Sequence, residues 1–540
     1  MATHHETLVI GAGPAGLQLG YYLKRRGRDY QVLEAGEGPG TFFRTYPRHR
    51  TLISINKVHT GSDEPEFNLR HDWNSLLTDD HQGPHFREHS TAFFPSADAL
   101  PEYLAAFAER HGIRVRYATP ATRISRDGAR FVVECGTGER VTAHRLVMCT
   151  GVSRPYVPDI PGMELVEGYE DVSVNPADFT NQRVLVIGKG NSAFETLDNL
   201  VGAAALIHVV SPSSVRMAWR THYVGDLRAV NNNFLDTYQL KSQNAVLDAE
   251  ILRIVPREGG GLTVTFAYAH AEGEVEDLGY DRVVRCTGFR FDASLFDASA
   301  APELAVKGRF PALTCEWESV NQPGLYFAGT IMQGLGYRKA TSGFIHGFRY
   351  NVRTLGRILE SKHHGAAWPT ETVPLQAEAL AGRVLARVNH TSDLWQQQSF
   401  LADLMCVRDG VVECREGLPV AYVREKHVDR GEHCFVLTLE FGKLHDAHDP
   451  FATPRRRADR GENAEDSMFL HPVLREYRDG ALLSEHHVME HLEARWTDDV
   501  AHVQPLVGWL RHRLGQARVP VGRVVRDPAG AQDALQPARD

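Results

Sequence analysis

Cysteine is scarce in this chain, seven in 540 residues, and no two form a Cys-x-x-Cys pair. That argues against a disulfide scaffold or a zinc ribbon and suits a reducing compartment. No stretch approaches the roughly 18 consecutive apolar residues of a membrane-spanning helix. Positive charge is in deficit, 59 Lys and Arg against 68 Asp and Glu for a net −9, the wrong balance for a nucleic-acid-binding face. The amino end, Met1-Ala-Thr-His-His-Glu-Thr7, has no basic segment followed by an apolar one. The carboxyl end, Leu535-Gln-Pro-Ala-Arg-Asp540, is no endoplasmic-reticulum retention signal. The expectation is a cytoplasmic protein with no membrane and no nucleic-acid partner. Hydrophobic residues make up 42% and charged ones 24%, an ordinary globular balance, and the length implies about three or four domains.

What the chain does have is one pattern used twice. Thr7-Leu-Val-Ile-Gly-Ala-Gly-Pro-Ala-Gly16 recurs as Val184-Leu-Val-Ile-Gly-Lys-Gly-Asn-Ser-Ala193. Each is a short apolar run into Gly-x-Gly-x-x-Gly/Ala and then a helix, the context that makes this motif a dinucleotide site. The first glycine makes the turn, the second lets backbone approach a pyrophosphate, and the third lets helix pack on strand. Unpaired N–H groups and the positive dipole end at the helix start then favour the phosphates. Glu34, ending the strand Tyr30-Gln-Val-Leu-Glu34, stands near the roughly 20-residue spacing at which an acid meets a ribose hydroxyl. Two such units imply two dinucleotides and a redox reaction between them.

The coarse reading places a helix over 14–27 and a loop-rich stretch from Gly36 to about Phe94. A helix follows near 96–110, then strands near 113–117, 130–135 and 141–149. Three apolar runs end in glycine turns: Leu146–Gly151, Tyr280–Gly288 and Pro323–Thr330. A helix is expected over 342–353, mixed helix and strand from about 365, a solvated loop over 454–466 and a disordered tail from 516. At the end of the second unit's second strand, Ser211-Pro-Ser-Ser-Val-Arg216 carries no acid. An acid there repels a 2′-phosphate, whereas the Arg216 guanidinium can grip one, so NADPH is favoured over NADH.

This order of elements resembles the two-dinucleotide-binding-domain flavoproteins, in which an NAD(P)H domain is inserted into an FAD domain. The resemblance implies an α/β fold with two Rossmann-like domains, 1–155 with 318–362 for FAD and 156–317 for NAD(P)H, plus a smaller α+β domain over 363–515. Carried over, Gly11, Gly13, Pro14, Ala15, Gly16, Glu34, Ala35, Phe43 and Arg44 would serve FAD, with Thr150, Gly151, Gly329 and Thr330 near the flavin. Gly188, Gly190, Asn191, Ser192, Ala193, Glu195, Arg216, Thr287 and Gly288 would serve NADPH.

Within that group the chain is similar to flavin-containing monooxygenases at Gly40-Thr-Phe-Phe-Arg-Thr-Tyr-Pro-Arg-His-Arg50 and Gly188-Lys-Gly-Asn-Ser-Ala-Phe-Glu195. Asn56 falls near where those enzymes keep an asparagine that contacts the oxygenated flavin, and is the candidate catalytic residue; the plain alternative is that it caps a turn. The resemblance implies NADPH-dependent reduction of FAD, reaction with dioxygen through a C4a-hydroperoxyflavin, and oxygenation of a small nucleophilic substrate. Other implied outcomes are a non-oxygenating flavoprotein reductase or a partner-binding flavoprotein, its protein partner held by the carboxyl-terminal domain. The family's Phe-x-Gly-x-x-x-His linker is only part-matched, with Val166 and Val172 flanking Gly168. Blocks such as Glu66-Phe-Asn-Leu-Arg-His-Asp-Trp73 and Gly343-Phe-Ile-His-Gly-Phe-Arg-Tyr350 resemble the branch of the endoplasmic-reticulum flavoprotein associated with degradation.

Cys149 and Cys286, each before a Thr-Gly turn, are read as inert strand packing rather than a redox pair. His81, His85 and His89 lie among loop residues, and His487 with His491 is read as a solvated helix face, so no metal is expected. The substrate pocket is expected from the 36–94 loop and from 216–245, including Trp219, His222, Tyr223 and Asn231 to Asn233.

Overall fold

The computed structural model describes residues 3–238, 243–443, 454–457 and 460–515, so the expected tail over 516–540 lies outside the described residues. The first unit is built on β1 (Thr3–Ile10), whose Thr7–Ile10 run is buried on both faces as a central parallel strand must be. It pairs in parallel with β2 (Tyr30–Leu33) on one side and β6 (Arg140–Met148) on the other. Helix α1 (Pro14–Arg25) connects β1 to β2 and is buried from Pro14 through Leu23. Helix α2 (Ala99–Arg110), β3 (Val115–Arg116), β4 (Ala121–Asp127) and β5 (Arg130–Cys135) complete the sheet in the order β3-β2-β1-β6-β5-β4.

The second unit repeats the plan. Strand β7 (Glu167–Gly168) is followed by β8 (Arg183–Ile187), helix α3 (Asn191–Leu200) and β9 (Leu206–Ser211). Then come β10 (Asn244–Pro256), β11 (Leu262–Tyr268), β12 (Val275–Tyr280) and β13 (Arg282–Arg285). The order is β12-β11-β10-β9-β8-β13-β7, with β8 parallel to both β9 and β13.

Strand β14 (Leu325–Phe327) then returns to the first sheet beside β6, with Phe327 opposite Met148. The Thr150-Gly151 turn and the Gly329-Thr330 turn therefore leave neighbouring strands. Helix α4 (Ile345–His364) follows and packs on α1. It runs eleven residues past the expected Arg353 (364 − 353) and stops at Gly365, whose left-handed φ of 65° caps it.

The third unit is a six-stranded antiparallel sheet. It comprises β15 (Glu371–Pro374), β16 (Leu401–Arg408), β17 (Val411–Pro419), β18 (Cys434–Glu440), β19 (His471–Arg478) and β20 (Ala481–His487), ordered β15-β17-β16-β18-β19-β20. Helices α5 (Ala377–His390) and α6 (Gln504–Arg513) cover it. One hydrophobic cluster is continuous through α1, α2, α4, α5 and this sheet, from Leu17 and Phe107 to Tyr350, Leu380, Phe435 and Trp496.

Three expectations change. Strand β4 adds to the strands expected near 113–117 and 130–135; only Ile124 among its residues is buried, so it shows no apolar run. His487 ends a strand and meets His471 at 2.9 Å, so it is not on a helix face. Within 454–466, Arg455 and Arg456 are tied to Glu490, and Gly461–Asp466 is a 3₁₀ turn. No helix among the described residues is long and apolar enough to cross a membrane.

Candidate active site

Both fingerprints open onto one cavity of about 1440 Å³, larger than the roughly 300–1,000 Å³ of a site for one drug-sized ligand. Its walls carry Gly11, Gly13, Pro14, Ala15, Glu34, Ala35 and Phe43 at one end, and Gly188, Gly190, Asn191, Ser192, Glu195 and Arg216 at the other. Thr150, Gly151, Gly329 and Thr330 line it too, as do Thr287 and Gly288.

The glycines fit dinucleotides in the way their positions imply. At Gly11 (φ 104°) a Cβ would lie 2.7 Å from the Cys149 carbonyl oxygen, and at Gly188 (φ 117°) 2.3 Å from that of Cys286. Both are strand-to-helix turns that admit no side chain. At Gly13 and Gly190 a Cβ would meet no protein atom within 4 Å, so these two face open cavity. A phosphate can approach their backbone directly. Buried polar atoms on the walls also lack partners: the Thr150 hydroxyl and both ring nitrogens of His346. Such groups are normally satisfied, so these suit a bound group with complementary atoms.

Four expected contacts lie off the cavity wall. Gly16 and Ala193 do not face the cavity; a Cβ at Gly16 would fall 1.9 Å from the Gly11 oxygen, and Ala193 is core. They do the packing work of the motif's third position. Arg44 is exposed and off the cavity wall. Asn56 is 2% exposed and also off the wall, its Nδ2 donating to the Ser90 carbonyl at 2.6 Å. It fixes the loop, and its donor is already committed.

Others take partners the sequence did not reveal. The Glu34 carboxylate accepts from the Ala12 N–H at 2.6 Å, the Gly36 N–H at 3.0 Å and the Thr41 hydroxyl at 2.8 Å. Asn191 accepts from the Arg228 N–H at 2.9 Å and donates to the Asp226 carbonyl, holding the 225–231 loop against α3. Arg216 pairs through Nε with Asp226 at 3.2 Å, and Arg338 shares that carboxylate at 3.0 Å. Tyr223 lines the cavity and donates to Gln333 at 3.1 Å. His222 instead stacks on Phe441 at 4.6 Å, while Trp219 is off the wall and Asn231 and Asn233 line a smaller cavity.

Two charged groups were missed. Lys189, inside the second fingerprint, is ion-paired with Asp248 on β10, which arrives beside Ser211 by strand pairing. Burial lowers the lysine's pKa. Burial also works against the Asp248 charge, but Lys189, Ser214 and His270 outweigh it and hold the carboxyl down at about 2. An acid therefore does stand near the end of β9, with its charge offset by Lys189.

Glu195 is 7% exposed, and burial pushes its carboxyl up to about 7 against the hydrogen bond from Tyr169. Burial likewise raises the Cys149 and Cys286 thiols and lowers the His346 imidazole far below its usual range. All seven cysteines are free and buried. Elsewhere, Cys406, His427 and Glu432 converge away from the cavity. Arg408 donates at 3.0 Å to the same Glu432 oxygen that the other two meet, so the group is a satisfied hydrogen-bond network.

The third unit reaches this site as well. Gln397 Nε2 donates to Ser342 Oγ at 3.1 Å, to the Gly347 carbonyl at 3.1 Å and to Asn351 Oδ1 at 2.8 Å. The segment so framed, Gly343 to His346, is cavity wall.

With this geometry in hand, comparison with known proteins gives the class. Residues 8–329 match the family described as pyridine nucleotide-disulphide oxidoreductase, and the chain belongs to it. Over nearly its whole length it is similar to FAD-dependent oxidoreductase domain-containing protein 2 of Mus musculus, 40% identical across 95% of this chain and 84% of that one. Two solved structures share the fold of the first two units. A flavin-containing monooxygenase from Stenotrophomonas maltophilia is 20% identical with TM-score 0.52, covering 67% of this chain and 99% of that one. Bacillithiol Disulfide Reductase Bdr from Staphylococcus aureus is 19% identical with TM-score 0.51, covering the same 67% and 99%. The family thus defines an oxidoreductase.

Proposed function

We propose that the cavity holds FAD at the Gly11–Gly16 end and NADPH at the Gly188–Ala193 end, and that the protein oxidises NADPH and oxygenates a small nucleophilic substrate with dioxygen. One observation carries the reading: a single cavity joins both fingerprints, with the middle glycine of each facing open space. FAD, when bound, supplies a two-electron centre that accepts hydride from a nicotinamide and reacts with dioxygen. The protein's part is to position and enclose. Backbone N–H groups at the start of α1 and α3 meet the pyrophosphates, and Glu34 Oε2, which accepts only the Ala12 N–H, keeps a lone pair for a ribose hydroxyl. For the 2′-phosphate, β9 ends in serines, Lys189 offsets Asp248, and Arg216 is half-exposed beside them. These favour NADPH over NADH.

The choice of monooxygenation over disulfide reduction rests on the cysteines. A dithiol mechanism needs an accessible low-pKa thiol beside a second one. Here both cavity-lining thiols are buried, raised and unpaired. Anaerobic reduction of the FAD-loaded protein by NADPH, then mixing with oxygen and panels of amines and sulfides, tests the reading. Flavin bleaching followed by oxygen incorporation with little free peroxide is expected. Stoichiometric peroxide with every substrate leaves an oxidase or reductase, and no bleaching removes the reading altogether.

A further inference from the structure

Glu195 stands in the wall between two cavities. On one side is the large cavity; on the other is one of about 200 Å³ lined by His49, Thr51, Asp198, Asn199, Asn231 and Asn233. Among the described residues it is the only one that lines both. The small cavity is lined by these polar residues together with Val230 and has room for several waters. The carboxyl is anchored by the Tyr169 hydroxyl, which itself accepts the Arg48 N–H at 2.9 Å.

Resting on the function proposed above, the stoichiometry has a fixed demand. NADPH, a proton and a two-electron acceptor give NADP⁺ and the reduced acceptor; with dioxygen and a substrate the products are NADP⁺, water and the oxygenated substrate. One proton per turnover must therefore reach the reactants bound in the large cavity. We propose that Glu195 is the acid that delivers this proton from the small cavity to the large one, with Tyr169 as its positioning residue. The carboxylate forms an O–H bond with a proton from water in the small cavity. That bond then breaks as the proton passes to a basic atom of the bound reactants. No electrons move through Glu195, since both come from the NADPH hydride.

The surroundings suit that role. A carboxyl with a pKa near 7 is half-protonated at neutral pH, so it loads and unloads readily. The Tyr169 hydroxyl donates to the carboxylate and accepts from the Arg48 N–H, and Arg50 adds a weak opposing charge. His49, held down to about 4 by burial, is neutral. Asp198 on the same helix is raised by burial, and Cys286, Arg285 and Glu170 complete the ring of titratable groups. Arg285 is spent on Glu170 at 2.6 Å, and among the described residues no cation pairs with Glu195.

The test uses the FAD-loaded full chain as wild type, Glu195→Gln and Tyr169→Phe. In the wild type, turnover falls as pH rises through about 7, because the donor loses its proton. Glu195→Gln removes that limb and lowers kcat about 10²-fold or more. Tyr169→Phe removes a hydrogen bond to the carboxylate, raises the Glu195 pKa and moves the limb to higher pH. Independently of turnover, an infrared band of a protonated carboxylic acid titrates near pH 7 in the wild type and is missing from Glu195→Gln. If NADPH leaves the wild-type flavin oxidised, the underlying function fails and this inference with it. If the flavin is reduced but the limb and the band survive in Glu195→Gln, only this inference is overturned.

Discussion

Gly190→Ala separates folding from recognition. Gly190 has φ −95° and ψ −175°, which alanine adopts without strain, and a Cβ there meets no protein atom within 4 Å. Such a replacement stabilises a fold by about 0.4–1 kcal/mol by restricting the unfolded chain. The variant should therefore melt at the parent's temperature or slightly above. NADPH binding should move the other way, because the methyl group fills the gap through which the α3 amino terminus meets a pyrophosphate. Losing one such charged hydrogen bond costs about 1.5–3 kcal/mol, which weakens affinity roughly 10- to 100-fold. Gly188→Ala is the contrast: its Cβ would sit 2.3 Å from the Cys286 oxygen at φ 117°, so the fold itself suffers. The assay is a thermal melt run beside a titration of flavin bleaching by NADPH. Should Gly190→Ala melt normally and bind NADPH as tightly as the parent, no dinucleotide lies on this turn. The argument from the second fingerprint then falls.

Thiol titration of the native chain should find none of the seven cysteines reacting quickly, and Cys149→Ser and Cys286→Ser should keep NADPH oxidation; loss of turnover in either would restore a dithiol mechanism. His346 is fully buried with its pKa far below the usual 6.5, so the unfolded chain takes up a proton below that pH and the native state does not. Its contribution is present above pH 6.5 and is lost on acidification, by up to ~1.4 kcal/mol per pH unit. His346→Phe, which keeps the stack on Trp73, should flatten the pH dependence of urea-unfolding stability by that amount, and an unchanged slope would contradict the buried neutral imidazole. Arg70 donates to the carbonyls of Val388, Asn389 and Thr391. Arg70→Ala should cost roughly 3 kcal/mol or more, since two buried acceptors and one partly buried one lose a charged donor; denaturant midpoints measure it, and a loss under about 1 kcal/mol would mean that water replaces the guanidinium.

The two nucleotide units were legible because their central strands are buried on both faces and so spell continuous apolar runs, as at Val184–Ile187. The glycine turns followed from the same runs. The alternatives for Asn56 stayed open because a residue type near a motif does not say where its amide points; contacts with Ser90 and Ala92, over thirty residues on, decide that. Asp248 was out of reach for a similar reason, since only the β9–β10 register brings it beside Ser211. Lys189 could have been found, as it stands inside the fingerprint. Glu195 was found but as a cofactor contact, because its burial and its second cavity depend on Tyr169 and on the 48–51 loop folding over it.

The frame that Gln397 builds around Ser342, Gly347 and Asn351 bears on ancestry as well as chemistry. A segment whose side chains brace the neighbouring catalytic wall cannot be traded between genes as a free-standing cassette. Its history is bound to that of the nucleotide units.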